Sequence, residues 1–95
     1  MASGLGEIEI PATNSSFFKI YPNPNLGVFT LELYEVEALS GIRVEIYSLF
    51  GEKVKQIDLE GQLMYEFNLS TVPQGIYLIR VTKGNVHGFI KLVRK

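Results

Sequence analysis

The sequence predicts an all-β domain, an antiparallel sandwich of seven or eight short strands. Three observations lead there. Val, Ile, Thr, Phe and Tyr supply about a third of the 95 residues, whereas Ala occurs three times, a bias toward side chains that pack on a pleated surface. Apolar and polar residues alternate with period two in several segments, and no stretch keeps a helical period. Gly, Pro and Asn punctuate those segments at short intervals.

The elements follow in order. Residues 1–16 read as linker, with Met1-Ala2-Ser3-Gly4 an expression start and Thr13-Asn14-Ser15-Ser16 a polar run. Within them Glu7-Ile8-Glu9-Ile10 alternates as an edge strand would, until Pro11 stops it. Residues 17–95 form the domain. A strand over 18–21 runs into Pro22-Asn23-Pro24-Asn25, where two prolines fix φ and restrict the residues before them. Gly27 opens a strand over 28–34, with Phe29, Leu31 and Leu33 inward. After a spacer over 35–41, Ile42, Val44 and Ile46 repeat the pattern. Phe50-Gly51-Glu52 reverses the chain into a more polar strand over 53–59, and Gly61 precedes a strand over 63–69. Val72-Pro73-Gln74-Gly75 suits a type I turn. Two strands, 76–83 and 86–93, then flank the two-residue loop Gly84-Asn85, which suits a II′ turn. If Lys83 faces Val86, Tyr77 faces Leu92 and Ile79 faces Ile90 on the core side. The outer side then pairs Leu78 with Lys91, and Arg80 with Phe89 in a cation–π contact.

Size and charge exclude several functions. One domain of this length buries a little over ~60% of its unfolded surface, which leaves hardly any volume for an enclosed active site. Zero cysteines preclude a disulfide or a Cys-based metal site. A net charge of −1 argues against nucleic acid as the main ligand. Neither a signal peptide nor an apolar run long enough for a transmembrane segment is visible. No cofactor is expected. The lone His87 reads as an exposed strand residue, and Glu32, Glu45, Glu35 and Glu37 as a solvated acidic face. With no nucleophile–base pair, the chain reads as a non-enzyme. Tyr21, Tyr34 and Tyr47 would stack on sugars if they shared an exposed face, which keeps a carbohydrate-binding or purely structural accessory module as the alternative.

One charge feature stands out. Residues 67–95 contain no acid and five bases, Arg80, Lys83, Lys91, Arg94 and Lys95. The basic run Lys91-Leu92-Val93-Arg94-Lys95 directly continues an apolar strand, so either a partner recognises it at a sheet edge or its charges merely protect that edge.

Four blocks in order resemble the C-terminal sorting domain of the type IX secretion system of Bacteroidota. They are Phe18-Lys19-Ile20-Tyr21-Pro22-Asn23-Pro24-Asn25 with Gly27 and Phe29; residues 44–54 around Gly51; Leu69-Ser70 with Pro73 and the run from Gly75-Ile76-Tyr77 to Val81; and the terminal strand with Lys91-Leu92-Val93. Ser48 departs from the aspartate or asparagine common at that position. The resemblance implies an immunoglobulin-like sandwich of about seven strands that closes a secreted cargo protein. It implies a folded address, recognised by the type IX outer-membrane shuttle or receptor and removed in many members by a sortase-like signal peptidase. The cargo, N-terminal in the parent chain, would pass through the periplasm to the cell surface or medium. On that reading Lys91, Leu92, Val93, Arg94 and Lys95 carry export recognition, while Tyr21, Pro22, Asn23, Pro24, Gly27, Gly51, Gly75 and Tyr77 are motif and turn residues.

Overall fold

Strict alternation in the sequence becomes two opposed sheets because each segment has one apolar side to hide. The computed structural model describes residues 17–34 and 41–95. It contains β1 (Phe18–Tyr21), β2 (Val28–Leu33), β3 (Ile42–Ser48), β4 (Lys53–Leu59), β5 (Met64–Asn68), β6 (Gly75–Lys83) and β7 (Val86–Arg94). Every pairing is antiparallel, in a three-stranded sheet ordered β1-β2-β5 and a four-stranded sheet ordered β4-β3-β6-β7. This is the immunoglobulin-like arrangement with the fourth strand placed in the second sheet. The edge strand expected over 7–10, and the linker assigned to 1–16, lie outside the described residues.

Phe18, Phe29, Leu31, Leu33 and Phe67 from the first sheet meet Ile42, Val44, Ile46, Ile79, Val81 and Leu92 from the second, all nearly or fully buried. Phe29 and Phe67 are directly opposed across β2 and β5, with rings stacked 5.3 Å apart. Each such side chain contributes about 1.5–3 kcal/mol by leaving water. Tyr77 is the exception that carries a polar atom inward. Its hydroxyl donates to the Pro73 carbonyl at 2.5 Å, the tyrosine corner that ties the start of β6 to the chain before it.

The β6–β7 register is as the alternation predicts: Lys83 faces Val86, Tyr77 faces Leu92, and Ile79 faces Ile90. Three sequence-based details are corrected. The hydrogen-bonded turn before β6 is Leu69–Val72, where Val72 N–H donates to Leu69 O at 3.1 Å, rather than residues 72–75. Arg80 does not turn to Phe89 for its cation–π contact. Its guanidinium reaches back to β3, where Glu45 stands opposite it, and lies 5.7 Å from the Tyr47 ring. Finally, Glu45 is not solvated: only 6% of it is exposed. Its Oε1 accepts from Arg80 Nε and Nη2 (3.0 and 2.6 Å), and its Oε2 accepts from Lys53 Nζ and the Tyr47 hydroxyl (3.1 Å each). A charged, directional pair outweighs a cation–π contact at a half-exposed site.

The β3–β4 reversal shows what Ser48 does in place of the aspartate or asparagine that the resemblance leads one to expect. Ser48 N–H donates to Glu52 O (2.8 Å) and Gly51 N–H to Ser48 O (3.1 Å). Its Oγ then accepts from the N–H groups of Phe50 (3.2 Å) and Glu52 (3.3 Å). An aspartate would offer the same acceptor, since short polar side chains hold turns by this route. Ser48→Ala is expected to lower the unfolding free energy by about 1 kcal/mol in urea titration, and Ser48→Asp to leave it unchanged or higher. A silent Ser48→Ala would remove this role.

Candidate functional site

The topology gathers the sequence motifs at one end of the sandwich. β1 ends there at Tyr21, β2 begins there after Gly27, β3 turns into β4 there, β6 starts there at Gly75 and β7 finishes there at Arg94. The opposite end carries the Gly84-Asn85 loop and the entry of the chain at Phe17 and Phe18, which pairs with Leu33.

β7 is an edge strand, and its last residues would expose unpaired backbone. The loop between β1 and β2 covers them. Asn25 forms a parallel bridge with Arg94: Asn25 N–H donates to Val93 O (3.0 Å) and Lys95 N–H to Asn25 O (2.7 Å). Asn23 adds two side-chain bonds, donating from Nδ2 to Lys91 O (2.8 Å) and accepting at Oδ1 from Val93 N–H (3.0 Å). Asn25 itself is 5% exposed. Its Oδ1 accepts from Gly27 N–H (2.8 Å) and its Nδ2 donates to Pro22 O (3.0 Å), so all four of its polar groups are used. The peptide bonds before Pro22 and Pro24 are cis.

A second tie crosses from β7 to the segment after β5. Arg94 donates from Nε to Leu69 O (3.3 Å), from Nη2 to Ser70 O (2.9 Å), and from Nη1 to the Lys95 carbonyl. Leu69 N–H in turn donates to Gly27 O at 2.6 Å. Gly27 has φ of +118°, and a Cβ there would sit 2.8 Å from Ser70 Cα. Three distant stretches of chain, 21–27, 69–70 and 91–95, thus form one latch.

The residues singled out from the sequence fall into distinct places. Lys91 and Lys95 are exposed, Val93 and Arg94 half-buried, and Leu92 fully buried in the core, opposite Tyr77. Pro22, Asn23 and Pro24 are exposed on the latch, and Gly27 is buried within it. Gly51 lies in the β3–β4 turn at the same end, beyond an open groove of about 300 Å³ lined in part by Ser48, Phe50, Pro73 and Ile76. Gly75 pairs with Arg94 at the start of β6. The three tyrosines offer no common stacking face. Tyr21 belongs to the first sheet and Tyr34 follows it, whereas Tyr47 lies on the outer side of the second. Each hydroxyl is already bonded, to Glu32, Phe18 O and Glu45 respectively.

Two residues escaped the sequence reading. Asn25 looks like any turn asparagine until its partner Val93 is known. Glu45 was detectable: aligning Ile46 with Ile79 across β3 and β6 places it opposite Arg80. The stretches 21–27, 69–70 and 91–95 contain no acid and three bases, Lys91, Arg94 and Lys95. Because the Arg94 guanidinium is spent on carbonyls, the outward positive charge here comes from Lys91 and Lys95. No helix among the described residues is long and apolar enough to cross a membrane.

Comparison with known proteins points the same way. The family model described as a secretion system C-terminal sorting domain matches residues 19–95. The chain is also 27% identical over 101 residues to karilysin of Tannerella forsythia, an alignment that takes in 94% of this chain and 21% of karilysin. The chain therefore spans about a fifth of the length of that relative.

Proposed function

Because the chain belongs to the family of secretion system C-terminal sorting domains, we propose that it is the address of an exported cargo protein, read in its folded form by the type IX machinery at the latch end. The family is one of sorting signals rather than of enzymes. On this reading the parent chain carries a cargo N-terminal to residue 17. The outer-membrane receptor engages the surface made by 22–27 and 91–95, and a sortase-like peptidase removes the domain after passage. The cargo crosses the periplasm and finishes on the cell surface or in the medium.

One observation carries the proposal: the terminal basic residues are held by the Pro-Asn-Pro-Asn loop, so the motif at the start of the domain and the motif at its end build a single surface. A signal read as an unfolded tail would have no use for such pairing. A fixed surface loses less conformational entropy on docking than a loose tail does.

The test fuses residues 17–95 to a periplasmic reporter and follows it in a type IX-competent strain and in the same strain lacking the translocon. The reporter is expected outside the cell in the first and in the periplasm in the second. Retention in both would overturn the sorting assignment.

A further inference from the structure

Leu26 is 76% exposed, the most open of the large apolar side chains among the described residues. It sits between the two most constrained residues of the latch. On one side Asn25 is buried with every polar group bonded. On the other Gly27 is pressed against Ser70 in a backbone conformation that disfavours side chains. The Leu26 backbone is therefore fixed while its side chain projects into water.

The fold gains little from that leucine. Leu26 takes no part in the core, and the hydrogen bonds on either side use Asn25 and Gly27. An isolated exposed leucine would ordinarily need no explanation. Here its setting has the features of a binding anchor: an apolar side chain, held on a pre-ordered backbone, so that less freedom is lost on association. The charged side chains of the latch stretches themselves are of one sign. Asn25 is bonded to Lys95 and Asn23 to the Lys91 carbonyl, which places two exposed lysines on the strand end that the loop covers. The stretches 21–27, 69–70 and 91–95 contribute no acidic side chain.

We propose that Leu26 is the apolar anchor of this surface, inserting into an apolar pocket on a protein partner whose rim carries carboxylates facing Lys91 and Lys95. The inference rests on the sorting reading only for the identity of that partner, the protein that reads the address.

The test uses the full 95-residue chain fused to the reporter, with export rate and thermal melting followed for each variant. Leu26→Ser is expected to slow export about tenfold, the effect of truncating an interface anchor. Leu26→Met, which keeps an apolar side chain of similar volume, should stay within about twofold of the parent. Melting should be unchanged in both, because the side chain is outside the core. The double variant Lys91→Glu with Lys95→Glu should slow export while Leu26 is intact, since like charges would then face the rim. Export of Leu26→Ser at the parent rate would overturn the anchor, as would an equal loss in Leu26→Met. Unchanged export of the double lysine variant would overturn the carboxylate rim. Failure of the unmutated fusion to leave the periplasm would instead overturn the sorting reading, and the anchor with it.

Discussion

Gly27→Ala is expected to lower the unfolding free energy by about 2–3 kcal/mol and to slow export with it. Two penalties add at this position. The backbone has φ of +118°, where an L side chain is strained. The new methyl would also approach Ser70 Cα at 2.8 Å and Ser70 N at 3.0 Å, both main-chain atoms that cannot rotate away. Relief requires moving 69–70 off the loop, which stretches the Leu69 to Gly27 hydrogen bond and pulls on the Arg94 clamp. Gly61→Ala is the matched control: its φ of +83° is also unfavourable, but a Cβ there meets nothing within 4 Å. It should cost about 1 kcal/mol and leave export untouched. Urea denaturation of the two variants isolates the contact term. Equal losses would mean that the Gly27–Ser70 approach contributes nothing.

The second large effect is on pH dependence. Burial pushes the Glu45 carboxyl up, but the hydrogen bonds from Arg80, Lys53 and Tyr47 and the charge of Arg80 more than offset this and hold it down at about 2. A carboxyl whose pKa is lower folded than unfolded stabilises the fold above its unfolded value, and that stabilisation fades as pH falls toward the folded one. The domain should therefore lose about 2 kcal/mol between about pH 4.5 and pH 2 through this group alone. The figure is kept below the full shift because water reaches Arg80 and Lys53 and screens the pairs. Glu45→Gln should remove that slope, and at pH 7 it should be less stable by a similar amount, with Arg80 left short of its partner. Denaturation midpoints at pH 7, 4 and 2.5 check both statements. A parent protein whose stability is flat across that range would contradict them.

Much of the fold is readable in the sequence because its determinants are local. The β6–β7 hairpin needs only a two-residue Gly-Asn loop and alternation on either side, and those set each partner from Lys83 and Val86 outward. The placement of Ile42, Val44 and Ile46 inward follows from the same period. The same alternation puts Leu92 in the core, which leaves the exposed lysines on either side of it as the outward part of the terminal run. What the sequence conceals depends on contacts between distant residues. Asn23 and Val93 are 70 positions apart, and nothing near either residue announces the other. Glu45 looks solvated beside Arg43 because alternation gives the side of the sheet and not the neighbour across it. Leu26 resembles loop filler until the rigidity of Asn25 and Gly27 is known. The basic end reads as recognition or edge protection from the sequence. The latch meets the second need with backbone pairing, which releases Lys91 and Lys95 from that duty.

The chain enters the sandwich at Phe17 and Phe18, and the latch lies at the other end of a body whose longest dimension is 38 Å. Whatever precedes residue 17 is thus tethered to the far pole from the surface proposed to be read. On the proposed reading the domain is gripped at one pole and joined to its load at the other.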